Sequence, residues 1–260
     1  MTRVLTIDLD YISRPYAEWV HHAFQMNSSR RWSQFMEEMP FDRSHFFIDT
    51  SNLMYCFNTF LKALKSNPKV SFGYDHDSIL FAIDQEENID LINIDHHDDV
   101  FHGADFATPE EEYEMMVKHN IINEGNWGIW LHSQGKLNSF TWIMNENSDG
   151  DGGRNTRGKN YLGYSYQYYL KEDYKFENHD FDYVHICLSP QYIYPDHWHY
   201  FSMFISAYEE FSGKDAIIYT EKYETHVRHQ RLHNEILHQC SDGRRPLPSE
   251  GLREWKALRK

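Results

Sequence analysis

Short apolar runs recur along this chain: "RVLTI" (3 to 7), "HFFI" (45 to 48), "KVSFGY" (69 to 74), "DLINI" (90 to 94), "SFTWIM" (139 to 144) and "YVHICL" (183 to 188). Their length and their polar or turn-forming borders predict buried strands. Helix candidates lie between them: "AEWVHHAF" (17 to 24), "NLMYCFNTFLKAL" (52 to 64), "HDSILFAIDQ" (76 to 85), "TPEEEYEMMVKH" (108 to 119) and "DHWHYFSMFISAYEEF" (196 to 211). The fourth opens on Thr108 and Pro109, an N-cap and first-turn pair followed by acids that suit a helix N-terminus. Alternating strands and helices predict an α/β fold, with a mostly parallel central sheet covered on both faces. Such sheets place ligands at the carboxyl ends of their strands.

At 260 residues and 40% hydrophobic content, one domain spanning 1–260 can bury a sizeable core. The residues from about 241 onward, basic and with two prolines, read as a peripheral tail. The Gly-, Asn- and Asp-rich segment 145–160 is the one clear long loop. Asn145, Asn147, Asp149 and Gly150 fall in step with a calcium loop, but Thr156 stands where that loop needs a bidentate Glu, so a surface loop is expected.

No apolar run approaches the roughly 18–20 residues of a membrane span, and acids interrupt "MTRVLTIDLDYI" too early for a signal peptide, so the protein is expected to be cytoplasmic. Cys56, Cys187 and Cys240 have no paired spacing and read as free thiols. A net charge of −15 argues against nucleic acid as a partner and favours cationic ones. Homo-oligomerisation is left open.

The chemistry concentrates at the strand ends. "NIDHHDDV" (93 to 100) follows the apolar run with two imidazoles and three carboxylates. In an extended segment Asp95, His97 and Asp99 share one face, while His96 and Asp98 point the other way. "LTIDLDYI" puts Asp8 and Asp10 on one face of another apolar strand, where unpaired acids are rarely tolerated. "FGYDHDS" ends a third strand with His76. Together His76, Asp95, His97, Asp99, Asp8 and Asp10 offer two imidazoles and four carboxylates, enough for two divalent ions. A donor set of oxygen and nitrogen without sulfur favours Mn²⁺, although Fe²⁺, Co²⁺ or Zn²⁺ could load. Paired metals commonly supply a hydroxide nucleophile.

These three motifs resemble the ureohydrolase superfamily of arginases and agmatinases: "GYDHDS" is similar to their G-G-D-H-S, "IDHHDD" to their D-A-H-x-D, and "LTIDLDYI" to their S-x-D-x-D. The D-x-D comes first here and last there, a permutation that a closed set of sheet neighbours can tolerate. "IDLDYI", "INIDHHDD", "NEGNW" (123 to 127) and "ICLSPQYIYP" (186 to 195) resemble more closely the atypical peptide arginases, which convert arginine side chains of ribosomally made precursor peptides to ornithine. The matches span residues 8 to 195.

The resemblance implies an arginase-like three-layer α/β/α fold and two Mn²⁺ ions. His76, Asp95, Asp99 and Asp8 would hold one ion, and His97, Asp95, Asp8 and Asp10 the other. It implies attack of a bridging hydroxide on the guanidinium carbon, release of urea, and Asp99 as proton shuttle. Asn126 and Glu124 are the expected substrate-binding residues, with Asp49 a second candidate for the acid that receives the guanidinium. Classical arginases carry an S-G-N-x-H-G loop that supplies an active-site His and reads the free amino acid's carboxylate. Here only Gly125 and Asn126 match, and Trp127-Gly128 replaces the rest. The catalytic His is therefore unassigned, with His102 and His132 as candidates, and arginine within a precursor peptide is favoured over free arginine. The alternatives are a ureohydrolase acting on free arginine, agmatine or another small guanidino compound, and a non-catalytic metal-dependent binding protein.

Overall fold

The structure, a computed structural model, describes residues 1–14, 47–100, 108–119, 122–145, 148, 159–190, 192–193 and 195–223. In chain order its elements are β1 (Thr2–Asp8), β2 (Ser13–Arg14), β3 (Phe47–Ile48), α1 (Thr50–Leu64), β4 (Lys69–Gly73), α2 (Leu80–Ile83), β5 (Ile89–Ile94), α3 (Pro109–His119), α4 (Trp127–Ser133), β6 (Leu137–Met144), β7 (Tyr166–Leu170), β8 (Tyr183–Cys187), α5 (His199–Ser212) and β9 (Ile218–Tyr219). Seven of the strands form one sheet in the order β7-β6-β5-β1-β8-β4-β9. Every pairing in that sheet is parallel. It is the α/β architecture expected from the alternating strands and helices.

The direction of travel along the sheet decides which face each helix covers. From β1 the chain moves to β4 through α1, and from β8 to β9 through α5, both toward the β9 edge. α1 and α5 share one apolar layer through Cys56, Phe60, Leu64, Phe201 and Phe204. From β4 to β5 and on to β6 the chain moves the other way, and α2, α3 and α4 fill the opposite layer through Leu80, Ile83, Met116, Ile129 and Trp130. Right-handed crossovers require this: reversing direction puts the connection on the other face.

The strands suit burial on both sides. In β1, Leu5 and Ile7 enter the α1/α5 layer and Val4 the other. α1 begins where the Asp49 carboxylate accepts hydrogen bonds from the N–H groups of Ser51 (2.8 Å) and Asn52 (3.1 Å). Its buried stripe runs Asn52, Cys56, Thr59/Phe60, Ala63/Leu64, the spacing of one helical face. Burying Phe60 alone contributes about 1.5–3 kcal/mol relative to exposure. α5 stops at Gly213, whose φ of 66° is left-handed and whose N–H reaches the Glu209 carbonyl at 2.9 Å.

Several expectations are corrected. "HFFI" does not join the main sheet: Phe47–Ile48 pair antiparallel with Ser13–Arg14, and Phe47 stays exposed. The ribbon lies beyond the end of β1, tied by the Asp49 N–H to the Ile12 carbonyl at 2.8 Å, with Ile48 half-buried against the α1/α5 layer. The helix expected over 76 to 85 is split into a tight turn, His76–Ile79, and the single turn α2. β7, β9 and α4 are additional elements. The helix expected at 17 to 24 and the tail from 241 lie outside the described residues, as does most of the 145–160 loop. Among the described residues no helix is long and apolar enough to cross a membrane.

Candidate metal centre

β1 and β5 are neighbours whose following helices depart to opposite faces, which opens a crevice at their carboxyl ends. Their register pairs Ile7 with Ile94, so Asp8 and Asp95 leave the two strands side by side. Cys187 of β8 pairs with both Asp8 and Gly73, which brings the end of β4, and His76 just beyond it, to the same level. Non-local pairing thus assembles residues that lie far apart in the chain.

Local turns then aim the carboxylates. Asp8 accepts the Asp10 N–H through Oδ1 (3.1 Å), Asp95 accepts the His97 N–H through Oδ1 (2.9 Å), and Asp10 accepts the His96 N–H through Oδ1 (3.3 Å). In each case the backbone engages one oxygen and the other is presented to the crevice. His76 Nδ1 lies 3.2 Å from Asp8 Oδ2, 3.1 Å from Asp95 Oδ2 and 2.6 Å from Asp99 Oδ2. His97 Nδ1 lies 2.9 Å from Asp10 Oδ2. Two potential ligand groups result, Asp8/His76/Asp95 and Asp10/Asp95/His97, each with its donor atoms within 4.8 Å of one another. Asp95 belongs to both, and Asp8 only to the first.

The electrostatics suit a cation or, in its absence, bound protons. Asp8, Asp10, Asp95 and Asp99 are all buried. Burial, then the neighbouring carboxylates, push Asp8, Asp10 and Asp95 above the ordinary carboxylate range. Burial also raises Asp99, against the pull of His76. Burial disfavours a charged His76, but Asp99, Asp8 and Asp95 outweigh it and hold the imidazole well above its usual pKa. His76 Nδ1 is buried and, although three carboxylate oxygens are within 3.2 Å, makes no well-aligned hydrogen bond. Its Nε2 is 2.7 Å from Thr6 Oγ1. In the neutral imidazole, donation from Nε2–H to Thr6 would leave the Nδ1 lone pair among the carboxylates, the tautomer a metal ligand needs. Carboxylates and imidazoles fit Mn²⁺ and the other divalent ions considered above. Cys187 enters neither ligand group: its Sγ lies 3.4 Å from the Tyr74 carbonyl and 3.4 Å from Ser189 Oγ, and burial pushes its thiol well up.

A second ring of residues holds these donors. Ser189 Oγ donates to Asp8 Oδ2, Asn93 Nδ2 to Asp95 Oδ2 (3.2 Å), and Trp127 Nε1 to Asp99 Oδ2 (2.7 Å). Asp99 and Ser189 have left-handed φ values of 53° and 46°, uncommon for residues with a Cβ. Beneath the centre His185 bridges Ser71 (2.9 Å) and Ser78 (3.2 Å), pinning the turn that carries His76. A Cβ added at Gly73 would come 1.8 Å from Ser78 Oγ, so the backbone can approach that turn only without one.

The remaining sequence candidates are placed as follows. His96 does not enter either ligand group, and Asp98 accepts from Val100 N–H and Tyr166 O–H (3.3 Å each), away from the cluster. The segment after Ile94 is a series of bends instead of an extended strand, so alternation names the residues while turns aim them. Asn126 is fully buried, accepting the Asn123 N–H (2.9 Å) and facing Glu112, which makes it a loop-building residue. Glu124 Oε2 is 3.0 Å from Lys222 Nζ. Asp49 caps α1, and His132 sits in the last turn of α4. His102 lies outside the described residues. Thr6, Ser189 and Tyr192, whose ring lies 4.8 Å from that of His97, belong to the centre without having been singled out from the sequence, and Trp127, noted there only as a departure from the arginase loop, joins them through Asp99. Hydroxyls and indoles are common in cores, and their spacing alone gives no signal. No protein-family model, curated protein or solved structure matches this chain.

Proposed function

We propose that this chain is a dinuclear divalent-metal hydrolase of the ureohydrolase type that converts arginine side chains of a precursor peptide to ornithine and urea. The observation that carries this reading is the sharing of Asp95 between the His76 and His97 groups at the β1/β5 crevice. Two divalent cations there, Mn²⁺ in the first instance, would supply Lewis acidity and lower the pKa of water. Water adds to the guanidinium carbon, the bond from that carbon to the side-chain nitrogen breaks, and the departing nitrogen takes up a proton. Asp99 faces His76 and Trp127 through Oδ2, which leaves Oδ1 to accept the proton and pass it on. Trp127 and Gly128 stand where classical arginases carry the loop that reads a free amino acid's carboxylate, which favours arginine within a peptide. The net charge of −15 suits such a cationic substrate.

Mass spectrometry of an arginine-containing peptide and of free arginine, each incubated with Mn²⁺-loaded protein, tests the reading. Conversion to ornithine with release of urea, faster in the peptide, is the expected result. Absence of conversion in both would reject it.

Glu124 is expected to receive the guanidinium, yet Lys222 Nζ already lies 3.0 Å from it and 3.8 Å from Asp75 Oδ1. Lys222→Met should therefore lower KM for an arginine peptide by up to about fivefold, the worth of a partly exposed ion pair of about 1 kcal/mol, with kcat little changed. An unchanged KM would restrict Glu124 to the ion pair.

A further inference from the structure

Asp99 is held at three points by the start of α4 and by its own backbone. The Trp127 indole N–H donates to Asp99 Oδ2 at 2.7 Å, on the same oxygen that faces His76 Nδ1 at 2.6 Å. The Gly128 N–H donates to the Asp99 carbonyl at 3.1 Å. Asp99 itself adopts a left-handed φ of 53°, which turns the chain after Asp98 so that its carboxylate meets His76. Gly128 has no room for a side chain: a Cβ there would lie 2.9 Å from Phe140 and 3.1 Å from the Asp99 carbonyl. Trp127 is fully buried, with its ring 4.9 Å from that of His76.

Packing alone would account for a buried indole but not for its N–H being aimed at a carboxylate that borders the metal cluster. We propose that Trp127 and Gly128 are positioning residues that clamp Asp99 against His76, Trp127 as an outer-shell hydrogen-bond donor to Asp99 and Gly128 as the close backbone contact that fixes its carbonyl. The inference rests on the two-ion reading of the centre. It assigns the "NWG" stretch a task other than substrate recognition: the Asp99 oxygen that faces His76 is immobilised. Outer-shell donors of this kind orient a ligand and tune its charge.

Trp127→Phe keeps a ring and removes the N–H. Calorimetric titration with Mn²⁺ is expected to show the ion of the His76 group bound about 10–100-fold more weakly, and the ion of the His97 group bound as in the unaltered protein. Equal affinity for both ions in variant and parent would overturn the proposal. If Trp127→Phe does not fold, the indole ¹H–¹⁵N resonance of Trp127 in the unaltered protein gives the same answer. With Zn²⁺ as a diamagnetic probe it should shift as the first ion loads, and a resonance that stays put would reject the clamp. Both readouts are independent of substrate: loss of the clamp with intact arginine conversion, or the reverse, separates this proposal from the proposed function.

Discussion

Asp95→Asn is expected to bind neither ion and to lose all turnover. Asp95 is the residue common to both ligand groups, its Oδ2 lies 3.1 Å from His76 Nδ1, and it is fully buried. The amide still accepts the His97 N–H through Oδ1, so the turn is preserved while the charge is removed. The metal-free variant should be at least as stable as the metal-free parent, because a buried carboxylate crowded by Asp99 and Asp8 has been neutralised. Metal analysis should give a stoichiometry falling from two to near zero, alongside an undiminished melting temperature in chelator. Asp98→Asn is the matched control, since both oxygens of Asp98 point to Val100 and Tyr166, and it should retain two ions. Asp8→Ala should act more selectively and weaken the His76-side ion first. Two ions in Asp95→Asn would remove the basis for a shared ligand.

The second large effect concerns stability and pH. At a free ion concentration of 100 times Kd each site adds about 2.7 kcal/mol, so two sites add about 5 kcal/mol. For a chain of this size that corresponds to about 10–20 °C in melting temperature. The sign of its pH dependence follows from the cluster. Asp8, Asp10, Asp95, Asp99 and His76 all have folded-state pKa values above their ordinary ones. Their protonated forms stabilise the metal-free fold. That contribution is complete below the unfolded values, about 3.9 for Asp and about 6.5 for His, and is lost as pH rises through the raised ones. Ions displace those protons, so metal binding tightens over the same range. The difference in melting temperature between Mn²⁺-loaded and chelated protein should therefore widen as pH rises from the ordinary carboxylate range through neutrality. His185 works in the opposite sense: burial, then His76, depress it, and its contribution is lost on acidification below the ordinary His range. It lies outside both ligand groups, so it largely cancels in the difference. Calorimetric scans across pH, with and without metal, measure this, and a flat or narrowing difference would contradict the ligand set.

Much of the sheet was legible because a strand buried on both faces is an apolar run, and a run is a local property. "RVLTI", "KVSFGY", "DLINI", "SFTWIM" and "YVHICL" all became strands of the parallel sheet. β7, "YQYYL", was not, because an edge strand with Tyr168 exposed lacks the continuous apolar core of its neighbours. β9 is only two residues long, and "HFFI" has the composition of a core strand although Phe47–Ile48 pair with Ser13–Arg14 outside the main sheet. α4 is short and follows a turn, so its seven residues offered little helical period to read.

By itself the sequence determined the strand runs, the alternation of strand and helix, and the six acids and imidazoles at the strand ends, because buried unpaired charge is too costly to be incidental. The tertiary structure decided how five of those six divide between two ligand groups and set Asp99 beside His76, outside both. The β1/β5 register sets Asp95 between His76 and His97 and leaves Asp8 with His76 alone. It also decided what surrounds them: Thr6 on His76, Ser189 on Asp8 and Trp127 on Asp99 are contacts between segments distant in the chain. It engaged Glu124 with Lys222 and Asn126 with Glu112. Spacing along the chain carries residue type and local direction; which oxygen meets which nitrogen is fixed only when parallel strands pair and their crossovers choose a face.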